Sequence, residues 1–270
     1  MNFNTIFPSG DDSIIIPDVN TKVIICAFDA EWLSNYTQYE NLILSYQFSS
    51  IDVSNGNRAD TIYYANYIEK ERLSLTGVLE QIALSLGLKL SDLKHYLIVL
   101  IAHNAVAEWS TLSNRNKLAP KLQFIRKTVI TPNMTGVKLK IYDRSRNPIH
   151  TKFMLKDTML LVPEKYRSLK KASELVDPDF AKLDIGSENL SNMLKFLQEH
   201  PVEFEAYALR DTQVTLKLWI TLQCMFNDIN ESDSKIYSTL SSAALNNYIS
   251  SYGTTKEDKE FFHGIFRRRA

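Results

Sequence analysis

Residues 23–31 read VIICAFDAE, an apolar run that ends in two carboxylates. Val23 to Phe28 are apolar on both alternating sets, the pattern of a strand covered on both faces of a sheet. Side chains at i and i+2 share a face, so Asp29 and Glu31 project the same way at the carboxyl end of that strand. Two like charges placed together repel unless a cation neutralises them, and hard divalent ions favour such oxygen ligands. Acids that merely open a turn also give D-x-E at a strand end. The pair therefore becomes a metal site only if another part of the chain answers it.

With 270 residues, 44% of them hydrophobic and 23% charged, the chain fits one large domain or two small ones and can bury a sizeable core. No apolar run approaches the roughly 20 residues that span a bilayer, and the N-terminus lacks a signal-peptide pattern, so neither a membrane nor secretion is expected. Cys26 and Cys224 have no clustered spacing. They read as small core residues of a reducing compartment such as the cytoplasm, not as zinc ligands or a disulfide. The formal net charge is zero, so any phosphate binding has to come from local lysines and from metal.

Residues 1–20 carry Pro8, Gly10, Asp11, Asp12 and Pro17 and read as a surface leader. Leu42–Ile51 and Thr61–Asn66 follow as strands joined by Asn-, Ser- and Asp-rich turns. Ser74 opens a helix through Leu86 with Leu75, Val78, Leu79 and Ile82 at helical spacing, and Gly87 stops it. Tyr96–Asn104, YLIVLIAHN, is another strand apolar on both faces, and Glu108, Trp109 and Leu112 mark a short helix after it. A hairpin over Thr135–Thr158, turning at Arg144–Pro148, returns to the sheet at Lys152–Asp157. Ser168 caps a helix through Val176. Pro178 and Gly186 bracket a loop holding Lys182 and Asp184. Helices are expected over Glu188–His200, from Pro201 to about Ile229, and over Ser238–Tyr252, ending at Gly253. Three meandering strands, then a helix, a strand and more helices, give an α/β chain with a mixed sheet flanked by helices.

The helix from Pro201 answers the first strand. Its apolar stripe runs Phe204, Tyr207, Ala208, Val214, Thr215, Leu218, Leu222, Met225, with Asp211 where an apolar residue belongs. A carboxylate on a buried face costs several kcal/mol unless it is paired or binds a metal. Arg210 or a nearby lysine is one such partner, and a metal shared with Asp29 and Glu31 is the other.

In order, the chain shows D-x-E on a first strand (Asp29, Glu31), a strand running into a helix through His103, Asn104 and Glu108, and Y-x-x-x-D on a late helix (Tyr207, Asp211). This set resembles the DEDD superfamily of 3′–5′ exonucleases, in the branch with a tyrosine in its third motif. LKDTML at 155–160, SLKK at 168–171 and AKLDI at 181–185 fall between the second and third motifs. That arrangement is similar to the exonuclease domain of protein-primed family B DNA polymerases, over roughly Val23 to Ile229. The resemblance implies an RNase H-like fold whose acids bind two divalent ions, Mg²⁺ or Mn²⁺, that activate a water and steady the phosphorus and the leaving oxygen. It implies that Asp29, Glu31, Asp211 and Glu108 are metal-site residues and that Tyr207 orients the attacking water. Asn104, with His103 beside it, meets the 3′ end of a single-stranded DNA, and Lys182 meets the scissile phosphate. Asp157 is expected to be a structural acid, and Trp109 and Trp219 to be packing residues.

The second motif departs from the family pattern, with Glu108 and Ala107 where an aspartate preceded by an aromatic residue is common. Glutamate keeps the charge and adds a methylene, so activity is expected to survive, in lowered form. The implied organisation is a leader at 1–22, an exonuclease domain at 23–237, and a helical connection and tail at 238–270. Residues 261–270, FFHGIFRRRA, resemble the approach to a covalently linked polymerase domain. The expected activity is proofreading hydrolysis of single-stranded DNA. Trimming of RNA 3′ ends by the same superfamily, and a nucleic-acid-binding module that kept the fold, are the alternatives.

Overall fold

The computed structural model describes residues 22–35, 40–131, 136–230 and 236–252. Strands β1 (Lys22–Asn35), β2 (Glu40–Asp52) and β3 (Asn57–Tyr64) form an antiparallel meander. Helix α1 (Leu75–Ser85) leads back to β4 (Tyr96–Ala102), which lies parallel to β1. Helices α2 (Ala105–Ser110) and α3 (Arg115–Leu118) and a two-stranded ladder of β5 (Gln123–Ile125) and β6 (Thr128–Ile130) come next. Strand β7 (Val137–Tyr142) pairs antiparallel with β8 (Pro148–Asp157), and β8 lies parallel to β4. Helices α4 (Leu169–Val176), α5 (Gly186–Ser191), α6 (Met193–Glu199), α7 (Pro201–Ile229) and α8 (Leu240–Tyr252) follow. The sheet is thus mixed and six-stranded, in the order β3-β2-β1-β4-β8-β7, with helices on both faces.

Strand β1 is interior, and its two side-chain sets enter two different cores. Ile24, Cys26, Phe28 and Ala30 pack with α1 and with Ala105 and Trp109 of α2. Val23, Ile25 and Ala27 pack with Trp219, Leu222 and Phe226 of α7. That explains why no polar residue interrupts the run before Asp29. Asp29 and Glu31 continue the second set, so they leave the sheet on the side of α7.

The ladder between β1 and β2 slips immediately after this pair. Glu31 stands opposite Ser45 but Trp32 stands opposite Ile43, so Leu44 is an extra residue. Tyr46 and Phe48 point away from α7, stacked on Phe28, whereas Leu44 packs with Phe204, Tyr207 and Ala208. The bulge therefore turns an apolar side chain under the part of α7 that bears the tyrosine.

The helix signals act as expected at α1. The Ser74 hydroxyl accepts from Gly77 N at 3.1 Å, and Gly87 adopts φ +72° after the last turn. Ser168 caps α4 in the same way. Four expectations need correction. Strands β3 and β8 begin earlier, at Asn57 and Pro148, because Gly56 at φ +74° allows a tight turn before β3, and Asp143 closes the turn before β8 by accepting from Asn147 N at 2.7 Å. Leu112 lies just past α2. The helix expected over 188–200 is two helices, because the Asn192 side chain accepts from Lys195 N and caps a new one. Met225 is 42% exposed and lies off the buried stripe of α7. The leader, Gly253 and the 261–270 segment lie outside the described residues. Among those described, no helix is long and apolar enough to cross a membrane.

Lys156 of β8 is 1% exposed and donates to Ser238 Oγ at 2.6 Å. Burial pushes its ammonium down from the ordinary 10.5 to about 8. The unfolded chain then holds more protons than the folded one between about pH 8 and 10.5, so stability rises with pH through that window. Below about 8 the penalty is present in full. Lys156→Met is expected to stabilise the protein by about 3 kcal/mol at pH 7, a gain that fades by about pH 11. Thermal melts of both proteins across that range check the sign.

Candidate metal centre

Asp29, Glu31 and Asp211 each offer a carboxylate oxygen, and the three oxygens lie within 4.8 Å of one another. Strand β1 supplies the first two on one face, and α7 lays the third against that face from the far end of the chain. Asp211 is 4% exposed, whereas Asp29 and Glu31 keep part of their surface open.

Burial first, and then the charge of Asp211, push the Asp29 carboxyl up to about 7. Burial and the charges of Asp29 and Asp211 hold Glu31 well above the usual carboxylate range. Burial raises Asp211 too, against the opposing pull of Lys182. These acids are thus costly to ionise together without added positive charge.

Glu108 is the fourth acid, 4% exposed on α2. It stands beside Asp29 and Glu31, close enough for their charges to act on it, but outside the oxygen triad itself. Burial, then Asp29 and Glu31, push it well above the ordinary range. Glu108 Oε2 and Asp211 Oδ1 are buried without a hydrogen-bond partner. Orphaned carboxylate oxygens in an all-oxygen donor set fit a hard divalent cation.

The cation that Asp211 meets within the chain is Lys182, from the loop between α4 and α5, whose Nζ bonds Asp211 Oδ2. Arg210 turns instead to the Phe180 ring, 4.3 Å from its centroid. Burial disfavours the Lys182 ammonium, but Asp211 and Tyr207 outweigh it and raise its pKa. The same Nζ lies 4.9 Å from the centroid of the Tyr207 ring. Tyr207 is 3% exposed, one helical turn before Asp211. Burial, Glu31 and Asp211 raise its phenol, which stays a hydrogen-bond donor.

Two sequence candidates have other surroundings. Both ring nitrogens of His103 are engaged at 2.7 Å, with Thr158 Oγ1 and with Arg167 O. His103 thereby ties the strand end to the segment that follows β8. Asn104 is exposed, in a left-handed conformation at φ 76°, which asparagine tolerates better than most residues. That turn aims the amides of Asn104 and Ala105 at Asp157, at 3.1 and 2.9 Å.

Asp157 also accepts from Met159 N at 2.8 Å and from Thr128 Oγ1. It is a structural acid, as expected, and it fixes where α2 begins and so where Glu108 stands. Sequence reasoning missed the polar row on β2. Gln47 and Ser45 stand opposite Asp29 and Glu31, are fully buried, and bond to each other at 2.6 Å. Ser49 meets Thr212 at 2.8 Å, tying β2 to α7 beside Asp211. Polar residues alternating through LILSYQFSSI were the available signal. Next to the centre, a cavity of about 380 Å³ is lined by Ser168, Leu169, Lys182, Leu183, Leu190 and Tyr207, among others.

No protein-family model matches the chain, and no curated protein matches it.

Proposed function

We propose that this chain is a metal-dependent 3′–5′ exonuclease that removes nucleotides from the 3′ end of single-stranded DNA. It would be of the proofreading type associated with family B-like DNA polymerases, on an RNase H-like sheet. The observation that carries the reading is the meeting of Asp29, Glu31 and Asp211 within 4.8 Å, with the buried Glu108 beside them. Two bound Mg²⁺ or Mn²⁺ ions would supply a nucleophilic water and offset charge on the phosphate and its leaving oxygen.

The chain's own residues divide the remaining work. Asp29, Glu31 and Asp211 hold the ions, and Glu108 extends the group from the α2 side. Lys182, which meets Asp211 here, would offer a point positive charge to the scissile phosphate, where it favours the transition state. The Tyr207 hydroxyl orients the attacking water. The cavity beside Tyr207, with its apolar Leu169, Leu183 and Leu190, suits the terminal base, and Asn104 stands exposed for the strand.

The test is a 3′-labelled single strand, in DNA and RNA versions, incubated with Mg²⁺, Mn²⁺ or chelator. Stepwise loss from the 3′ end in either metal, absent in chelator, is expected. Internal cleavage, or none with either metal, overturns the proposal, and preference for the RNA strand changes the substrate. In the same assay Tyr207→Phe is expected to slow hydrolysis by about 100-fold while strand affinity changes by less than about twofold, since the lost hydrogen bond acts in the transition state. Equal losses would make Tyr207 a stacking residue.

A further inference from the structure

A second charged feature lies at the opposite end of the strands. Along β7 and β8 buried residues alternate with exposed ones, and the exposed set includes Lys138, Lys140 and Tyr142 on β7 and His150 and Lys152 on β8. In the antiparallel register Lys138 stands directly opposite Lys152, and Lys140 opposite His150. Like charges directly opposite each other weaken a ladder. Lysines on an edge strand guard against sheet-to-sheet pairing, but that needs them on β7 alone, not matched by basic residues on its inner neighbour.

At the foot of this ladder a cavity of about 740 Å³ is lined by Lys22, Lys94, His95, Tyr96, Lys138 and Lys152, among others. The lysines come from the start of β1, the 3₁₀ turn Leu90–His95, β7 and β8. No Asp or Glu is among its lining residues. Among the described residues none of the four lysines is ion-paired. Of the neighbouring carboxylates, Asp52 sits behind Tyr96 and already accepts from its hydroxyl at 3.0 Å and from Ser54, and Asp92 accepts from Lys89 N at 2.9 Å. In a chain of zero net charge this concentration is local.

We infer that this face binds the phosphodiester backbone of a single nucleic-acid strand, at a site separate from the acidic centre. The positive charge is spread along a ladder and a groove, as a repeating anion requires, and does not converge on one point. Tyr142 is 50% exposed, with Lys140 Nζ over its ring 5.4 Å from the centroid, so an exposed aromatic side chain accompanies the lysines, as stacking on a base requires. Lys22 opens β1 and Asp29 stands seven residues further along it, about 23 Å away at ~3.3 Å per residue. Stacked nucleotides at ~3.4 Å each cover that distance in about seven steps. That falls within the range of about 4 to 16 nucleotides that single-strand grooves occupy. The inference stands beside the exonuclease proposal and does not depend on it.

The experiment is fluorescence anisotropy of a labelled single strand of about 20 nucleotides, in chelator, from about 50 to 200 mM salt. Wild type is compared with the variant carrying Lys22→Gln, Lys94→Gln, Lys138→Gln and Lys152→Gln, all at exposed positions. Affinity at low salt should fall at least tenfold. The slope of log affinity against log salt should become shallower by about 3, at ~0.7 per lost phosphate contact. Unchanged affinity and slope overturn the inference. So does a variant that loses inorganic tripolyphosphate, measured by calorimetry, but keeps the strand, which would make the site one for a small polyanion. Metal-dependent cleavage of a dinucleotide, too short to reach the ladder, should be the same in both proteins. If wild type fails to cleave it, the exonuclease proposal falls while the strand site is still read from the slopes.

Discussion

Asp29→Ala is expected to lower 3′-end degradation by at least about three orders of magnitude, a loss of about 4 kcal/mol in transition-state stabilisation. In chelator the same change is expected to raise the melting temperature. Asp29 is the acid whose carboxyl burial and Asp211 push up to about 7, so at pH 8 the folded chain bears a charge that the site opposes. Its folded value lies above its unfolded one, so its ionisation costs folding stability as pH rises from about 4 to about 7, and alanine removes that cost. Each kcal/mol regained is worth about 2 to 4 °C in a protein of this size. Added Mg²⁺ should reverse the order, stabilising wild type more than the variant, because only wild type keeps the full ligand set. Wild-type nuclease activity in Asp29→Ala would remove the metal-centre assignment altogether.

The second expected result concerns Glu108, the acid that departs from the exonuclease pattern the sequence otherwise resembles. Glu108→Gln keeps shape and volume and removes the negative charge, and turnover should fall by about 100-fold or more, because placement in a metal site is unforgiving. Glu108→Asp keeps the charge on a shorter arm and should retain activity within about tenfold of wild type or exceed it. In the structure Glu108 is 4% exposed beside Asp29 and Glu31, and its Oε2 has no hydrogen-bond partner. Full activity in Glu108→Gln would mean that the three clustered acids act without it. Full loss in Glu108→Asp, with the fold intact by melting, would show that the longer side chain is required where it stands.

Much of this arrangement was legible because it rests on local rules. A short β-branched run apolar on both side-chain sets fits an interior strand, and period two then places Asp29 and Glu31 on one face. A 29-residue helix with a consistent stripe announces Asp211 as the exception. Other features rest on what elements do to each other. The extra residue Leu44 exists only in relation to β1, so no pattern within LILSYQFSSI reveals it. The break at Asn192 is a contest between a side chain and the backbone of one helix, which propensity alone leaves undecided. The partners of His103, Thr158 and Arg167, are remote in sequence. The pairing of Lys182 with Asp211 joins a loop to a helix and appears only once both are placed. The like-charge pairing across β7 and β8 was hidden for the same reason, because each strand by itself looks like an ordinary half-exposed one.

The acidic centre draws its ligands from the first described strand and the last long helix, with most of the chain between them. A ribosome adding about 5 to 20 residues per second needs roughly ten to forty seconds to pass from one to the other. During that interval the nascent chain can fold its meander and bury the apolar part of β1, but it holds only the acids of β1 and α2. Contacts of such long sequence separation form late, after the loop-closure cost has been met. A growing chain beside messenger RNA therefore carries no complete centre, and neither does a fragment cut before α7. The topology makes the docking of α7 on β1 the event that assembles it.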